Sequence, residues 1–260
     1  MKPHHKKAIE LLTENLKKKK RFLALIIGGS VAKGVAREDS DIDVVIVVND
    51  EDFERRKKRN NLFYYTTQFC EYEGGYIDGK VVDLQFLKDV AEKGSEPARD
   101  AFRDSFIAFS KIPELEEILK KIPVYQKHEK EEKIGKFWAQ LEYAKWALEE
   151  AEKRKDNYFI TRSAADLILF VGRLILAHNE ILFPFHKLFM ITLKNAPEKP
   201  KNLMNLIDKF LEEKNSHNAQ AIYDAIKDFS DWIKTPYWSI RFMKDVEWAW
   251  MEGKAAIGDI

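Results

Sequence analysis

The sequence predicts an α/β (α+β) unit with a small mixed sheet, followed by an all-α helical bundle. Up to Ser110, segments with helical spacing alternate with short runs of β-forming residues. After Ser110 no strand pattern of any length occurs, and apolar residues recur at three- and four-residue spacing. All six tryptophans lie in this second half. We therefore place a domain boundary near residues 110 to 125, with predicted domains of 1–118 and 119–260.

The first half is assigned from apolar periodicity and from turn residues. An apolar run that ends at Gly28 and Gly29 is typical of a buried strand entering a tight turn, and Ser30 is expected to cap the short helix that follows. Asp78-Gly79 is a strong hairpin signal. The predicted elements are helices over 5–20, from about 31 and over 51–60, and strands over 22–27, 41–48, 62–69 and 106–110, with a hairpin over 76–87 and a short helix after it.

The second half is assigned to five helices separated by Pro, Asn and Gly residues. They are predicted over 129–155, 161–179, 185–194, 203–214 and 219–234. Glu142 and Asp166 lie inside these apolar-patterned helices. Each is a candidate acceptor-side base or a binder of a cationic substrate, although most helix carboxylates are simply solvated.

Composition limits the classes of function. The 260 residues carry 33% charged side chains, but the net charge is only +1, so no global field would hold a long polyanion. The single cysteine, Cys70, excludes an internal disulfide and fits a reducing compartment. No signal-peptide pattern or long apolar run is present. We expect a soluble, cytoplasmic protein that does not contact a membrane.

The stretch from Leu25 to Val48 carries the clearest chemical signal. Asp41 and Asp43 stand two positions apart on a predicted strand, so their side chains point to the same face. Two carboxylates there repel each other unless a divalent cation lies between them, and hard oxygen ligands suit magnesium. Asp83 interrupts the apolar run VVDLQFL, and we predict that it is the third carboxylate of this site.

The turn before these acids has the composition of a phosphate-binding loop. The glycines at 28 and 29 let the backbone approach a phosphate closely, and the Ser30 hydroxyl can bind its oxygens. A P-loop is excluded, because Lys33 precedes Gly34 and no Ser or Thr follows. An EF-hand loop starting at Asp39 is excluded too, because it requires glycine at position 44 and glutamate at position 50.

These residues together resemble a known superfamily. Gly29-Ser30, Gly34, the segment 40–43 (Ser-Asp-Ile-Asp) and Asp83 are similar to the pattern of polymerase-β type nucleotidyltransferases, in their small-molecule branch. The layout of a catalytic domain followed by a helical substrate-binding domain resembles the aminoglycoside adenylyltransferases in particular. The resemblance implies transfer of a nucleoside monophosphate, AMP from ATP or another nucleoside triphosphate, to a hydroxyl of a small molecule with release of pyrophosphate.

The resemblance also implies roles for individual residues. Asp41, Asp43 and Asp83 would be catalytic and would bind two magnesium ions, with Asp83 helping to activate the acceptor hydroxyl. The nucleotide-binding residues would be Gly29, Ser30, Lys33, Arg37 and Ser40. Lys33 and Arg37 are equally compatible with solvated surface cations.

An alternative function stays open. The basic runs KKKKR and RRKKR would suit a transferase-like module that modifies or binds RNA or protein, as in toxin and antitoxin pairs. A net charge near zero and three predicted carboxylates favour the small-molecule enzyme, so a nucleic-acid partner is not expected. The sequence leaves the acceptor, the base of the nucleotide and the oligomeric state open.

Overall fold

The protein divides into two compact units. The structure, a computed structural model, describes residues 1–234 and 237–253. The first unit spans Met1–Val124 and the second Tyr125–Ile260. Each unit has an apolar core built from its own residues. Among the described residues, no helix is both long and apolar enough to cross a membrane.

The first unit is a five-stranded sheet with helices. Its strands are β1 (Phe22–Ile27), β2 (Ile42–Val48), β3 (Phe63–Thr66), β4 (Ile77–Val82) and β5 (Phe106–Ser110). Its helices are α1 (Pro3–Lys17), α2 (Gly29–Ala32), α3 (Asp50–Lys58), α4 (Leu84–Lys93), α5 (Glu96–Asp100) and α6 (Leu115–Lys121). The predicted fold class is confirmed, because the sheet is mixed and the helices of this unit cover it.

The sheet has the strand order β3-β4-β2-β1-β5. β1 is antiparallel to both β2 and β5, β3 is antiparallel to β4, and β2 and β4 are parallel neighbours. Side chains of β1 alternate between two apolar clusters, with Leu25 and Ile27 in one and Ala24 and Ile26 in the other. The central strands are therefore buried on both faces, and polar side chains stay near the strand ends.

The turn after β1 differs from the expectation in one respect. Gly28, not Ser30, is the N-cap residue of α2, and within the described residues no side chain makes a capping hydrogen bond to this helix. Gly29 has a φ of +59°, which L side chains rarely adopt. The helix begins at Gly29, earlier than the sequence suggested, so Ser30 lies inside its first turn.

The predicted hairpin at Asp78-Gly79 is wrong. β4 runs straight through both residues and ends at Val82, after which α4 begins. Gly79 pairs with Val44 of β2, and a Cβ atom at Gly79 would collide with the Val44 backbone. The glycine therefore allows close approach of two parallel strands, and the Asp-Gly dipeptide does not make a turn here.

The second unit is helical throughout its described part. Its α-helices are α7 (Lys130–Arg154), α8 (Asn157–His178), α9 (His186–Asn195), α10 (Leu203–Glu212), α11 (Ser216–Lys227) and α12 (Trp238–Phe242). Short 3₁₀ segments cover Lys127–Glu129 and Ala249–Glu252, and Met243–Glu247 forms a π-helical turn. α7 and α8 pack along each other and supply most of the core, including Phe137, Leu141, Leu167 and Leu174. The expected all-α second half is confirmed for these residues.

Candidate active site

Three carboxylates meet at one end of the β2–β4 pair. Asp41 directly precedes β2, and Asp43 is the second residue of that strand. Asp78 is the second residue of β4 and pairs with Asp43 in the parallel register. One carboxylate oxygen from each of the three lies within 4.8 Å of the others. Strand periodicity brings Asp41 and Asp43 to one face, and strand register adds Asp78.

The cluster concentrates negative charge. Burial, and then the charge of Asp41, raise the pKa of the Asp78 carboxyl above its usual value. The Asp41 charge, partial burial and a hydrogen bond to Asp41 likewise raise the pKa of the Tyr76 hydroxyl. The charge of Asp41 contributes to both shifts, which indicates electrostatic repulsion within the cluster. A cation would relieve that repulsion.

Asp83, the expected third carboxylate, is not part of this cluster. It lies five positions beyond Asp78, just past the far end of β4, which at strand geometry is about 16 Å along the strand. Asp83 is the N-cap residue of α4, where its Oδ1 accepts a hydrogen bond of 2.8 Å from the backbone N–H of Phe86. Asp78 thus replaces Asp83 as the third carboxylate of the site.

A signal for this assignment was present in the sequence. Leu84, Leu87 and Val90 recur at helical spacing directly after Asp83, and an Asp immediately before such a pattern is typical of a helix N-cap. Asp78 was missed because Asp78-Gly79 resembled a turn, which removed it from the predicted strand.

Gly29 is packed against the carboxylate cluster. A Cβ atom at Gly29 would collide with the Asp43 carboxylate. The backbone N–H of Gly28 also donates to the Asp43 carbonyl oxygen, at 2.9 Å. The glycine turn is therefore held against β2 at Asp43. Gly29, a predicted nucleotide-binding residue, thus contacts Asp43, a predicted metal-binding residue.

The hydroxyl group of Ser30 is unpaired within the described part of the chain. Its Oγ is buried and has no hydrogen-bond partner among the described residues. A buried hydroxyl without a partner is costly, unless a ligand supplies one. Because the neighbouring Gly29 contacts Asp43, this hydroxyl lies in the same turn that borders the carboxylates. A phosphate oxygen is an acceptor of the kind that would satisfy it.

The segment that leads into Asp41 is anchored by α1 and by Tyr72. His5, which is fully buried, donates from Nε2 to the Ser40 carbonyl oxygen at 3.1 Å, and the Tyr72 hydroxyl donates to the same oxygen at 2.9 Å. The Ser40 hydroxyl oxygen accepts from the backbone N–H of Arg37 at 2.9 Å. The sequence pattern did not single out His5 or Tyr72, and both fix the residue next to Asp41.

The two predicted phosphate-contacting cations have acidic partners in the protein. Lys33 Nζ lies 3.8 Å from a carboxylate oxygen of Asp100, which is almost fully buried. The Arg37 guanidinium donates to Asp39 at 3.0 Å on an exposed surface. Their contact with a nucleotide stays a prediction.

The two candidate acids of the helical half have different surroundings. Glu142 accepts hydrogen bonds from Trp138 Nε1 at 3.1 Å and from the Tyr223 hydroxyl at 2.7 Å, so it ties α7 to α11. Asp166 pairs with Arg162 at 2.8 Å on the same helix. Glu142 therefore links two helices of this unit through partly buried hydrogen bonds.

The donor set of the carboxylate cluster fits a hard divalent cation. Asp41, Asp43 and Asp78 offer oxygen ligands only, and magnesium is usually held by a few carboxylates together with water and substrate phosphates. Such an ion would offset the repulsion between the Asp41 and Asp78 carboxylates.

Comparison with known proteins agrees with this geometry. A family model described as a nucleotidyltransferase domain matches residues 9–160, which is more than half of the chain. A nucleotidyltransferase-like protein from Exiguobacterium sibiricum 255-15 has a similar fold, with a TM-score of 0.50 over 86% of this chain and 74% of that chain at 8% identity. No curated protein matches the sequence significantly. The family model, the fold and the carboxylate cluster lead to one conclusion: the chain belongs to the nucleotidyltransferase domain family and is a transferase of phosphorus-containing groups.

Proposed function

We propose that this protein transfers AMP from ATP to a hydroxyl group of a small molecule and releases pyrophosphate, in a magnesium-dependent reaction. The observation that carries the proposal is the cluster of Asp41, Asp43 and Asp78 beside the Gly29-Ser30 turn. A carboxylate cluster that binds metal and a glycine turn that binds phosphate are the two parts that phosphoryl-type transfer requires. The family match supports nucleotidyl transfer in general.

Each residue of the site would have its own role. Asp41, Asp43 and Asp78 would hold the magnesium ions, and the resemblance to the superfamily implies two of them. Bound magnesium stabilises the charge on the transferred phosphate and on the leaving pyrophosphate. The Ser30 hydroxyl would donate to a phosphate oxygen of the triphosphate, and Gly29 would keep that turn close to Asp43. Asp78 takes the metal-binding role that the sequence pattern assigned to Asp83.

The acceptor is proposed from the resemblance to the aminoglycoside adenylyltransferases. An aminoglycoside carries several hydroxyl groups, any of which could attack the α-phosphorus in line with the leaving pyrophosphate. Aminoglycosides are therefore the first acceptors to test, and the protein would then confer antibiotic resistance.

The alternative of an RNA-binding or protein-binding module loses one of its supports. In the basic run that begins at Arg55, Arg55 and Arg56 both bind the buried Asp52, and Arg56 does so at 2.7 Å. Lys57 lies 3.7 Å from Glu54. Three of the five cations in this run therefore have an acidic partner within α3, which weakens the support that the run gives to binding of a polyanion.

The test is pyrophosphate release by the purified protein with ATP, magnesium and a panel of aminoglycosides, with tRNA as a macromolecular acceptor in a separate arm. Asp43→Asn should abolish magnesium-dependent release and leave the fold intact. Asp39→Asn is the matched control, because Asp39 is an exposed acid of the preceding loop and pairs with Arg37. Full activity of Asp43→Asn would exclude the proposed site, and labelling of tRNA instead of the small molecules would favour the alternative.

A further inference from the structure

The helical unit contains a cavity of about 590 Å³. It lies between α7 and α8 and is closed by residues of α12 and of the π-helical turn after it. Its wall includes Gln140, Tyr143, Ser163, Asp166, Phe170 and Phe242. A volume of this size is in the range of small-molecule sites.

Two polar groups in this wall, the Gln140 amide nitrogen and the Ser163 hydroxyl, have no partner in the described part of the protein. Gln140 and Ser163 are each only 2% exposed. Gln140 Nε2 and Ser163 Oγ make no hydrogen bond to any described residue. Leaving a donor and a hydroxyl unpaired in a core is unfavourable, and an alanine or leucine would pack there without that cost. Two such groups in the wall of one cavity indicate that a ligand supplies their hydrogen-bond partners.

The rest of the wall is aromatic and aliphatic. The rings of Tyr143 and Phe242 stack with centroids 3.7 Å apart and an interplanar angle of 19°. Phe159 and Phe170 also line the cavity. Aromatic walls favour a ligand with a flat ring, because rings pack against each other edge to face or in offset stacks.

The carboxylate and the guanidinium group of the wall belong to one ion pair, Asp166 and Arg162. Asp166 accepts from Arg162 Nε at 2.8 Å. Burial raises the pKa of the Asp166 carboxyl, and Arg162 opposes that shift. The pair adds no net charge to the cavity, so the ligand needs no formal charge of its own.

We propose that this cavity binds a neutral aromatic molecule with a carbonyl or hydroxyl oxygen, and that Gln140 and Ser163 are its hydrogen-bond partners. Gln140 Nε2 donates to that oxygen, Ser163 bonds to a second polar atom, and the ring packs against the aromatic wall. All of the residues that line this cavity belong to the second unit.

Four compounds of nearly the same shape test the chemistry: benzamide, benzamidinium, benzoate and toluene. They carry, in turn, a neutral amide, a cation, an anion and no polar group. Binding is followed by calorimetry and by tryptophan fluorescence, since Trp146 and Trp238 lie with ring centroids 5.7 and 6.1 Å from that of Tyr143. We expect benzamide to bind most tightly, with a Kd on the order of millimolar for so small a ligand.

Two variants test the named partners. Gln140→Leu and Ser163→Ala should each weaken benzamide binding about tenfold, leave toluene binding unchanged, and keep or raise the melting temperature of the free protein. Gln220→Leu is the control, because Gln220 is on α11 and bonds to Asp224 at the surface. Asp43→Asn should bind benzamide like the parent protein, which separates this proposal from the proposed function.

Three results would overturn the proposal. One is the absence of saturable binding by all four compounds. Another is equal affinity of the parent protein for benzamide and toluene, which would mean an unspecific apolar cavity. The third is unchanged benzamide affinity in both Gln140→Leu and Ser163→Ala, whether or not their stability changes.

Discussion

Asp78 on β4 lies directly opposite Asp43 on β2, as a pair of residues in a parallel ladder. Parallel register places equivalent positions of two strands side by side, so both carboxylates reach the same end of the sheet. The geometry of the candidate active site is therefore set by regular strand pairing, and only Asp41 comes from outside a strand.

Substitutions of Asp78 and Asp83 should show which of these two residues is the third carboxylate of the active site. We expect Asp78→Asn to lower nucleotidyl transfer at least about a hundredfold, because it removes a carboxylate of the metal cluster. Asp83→Asn should keep its activity, since Asn also serves as an N-cap, and Asp83→Ala should lose about 1 kcal/mol of stability with little loss of turnover. Rates and urea unfolding of the three variants check this, and an inactive Asp83→Asn with an active Asp78→Asn would reverse our assignment.

The raised pKa of Asp78 makes a prediction about stability. The folded protein holds the Asp78 proton more tightly than the unfolded chain, so this group's contribution to the free energy of unfolding falls as pH rises above about 3.8, until the folded pKa is passed. At neutral pH without metal, Asp78→Asn should therefore melt at a temperature equal to or higher than the parent protein.

Addition of magnesium should give the opposite order. Magnesium should raise the melting temperature of the parent protein by mass action and leave that of Asp78→Asn unchanged. Scanning calorimetry in EDTA and in excess magnesium measures both effects. A magnesium shift of the same size in the parent protein and in Asp78→Asn would be inconsistent with metal binding at this cluster.

Two glycines provide a matched pair of substitutions. Gly29 and Gly34 both have positive φ, +59° and +73°, so alanine at either position should cost about 1 kcal/mol or more in backbone strain. Only at Gly29 would the new Cβ collide with the Asp43 carboxylate, whereas nothing lies within 4 Å of a Cβ at Gly34. Gly29→Ala should lose transfer activity and Gly34→Ala should keep it. Equal activities of the two variants would contradict the packing that we describe.

His5 should make the first unit less stable in mild acid. Burial, followed by the neighbouring His4, lowers the pKa of His5 below 6.5, so the unfolded chain binds a proton there before the folded protein does. The free energy of unfolding should therefore fall as pH drops below about 6.5. His5→Phe should show a weaker dependence on pH, and also lower activity, because it loses the hydrogen bond to Ser40. His128→Phe is the control, since the His128 side chain is 78% exposed.

Site residues could be predicted from the sequence where they are neighbours along the chain. They could not be predicted where they meet only through the pairing of two strands. Asp41 and Asp43 were identifiable because two acids at the start of an apolar strand share a face, whatever the rest of the fold does. Asp78 joins them only through pairing of β2 with β4, and its partner Asp43 is 35 positions away (78 − 43). Local turn propensity at Gly79 competed with that tertiary contact and led to the wrong hairpin.

In the helical half, too, the helices could be predicted from the sequence, whereas the polar groups of the cavity could not. Apolar spacing predicted its helices, because one face of each must reach the core. Gln140 and Ser163 carried no signal, since both residue types are common on solvated helix surfaces. Their significance comes from burial without a partner among the described residues, which depends on how α7 and α8 pack.

The parallel pairing of β2 and β4 has a consequence for the order of folding. Residues 49 to 76, which include α3 and β3, separate β2 from β4 along the chain, so pairing of these two strands closes a long loop. Non-local parallel contacts of this kind form late, because the entropy of closing the intervening chain is lost before the strands interact. A collapsed species without β4 would hold two carboxylates and not three. In a refolding experiment, the appearance of tight metal binding would then mark the time at which β4 pairs with β2.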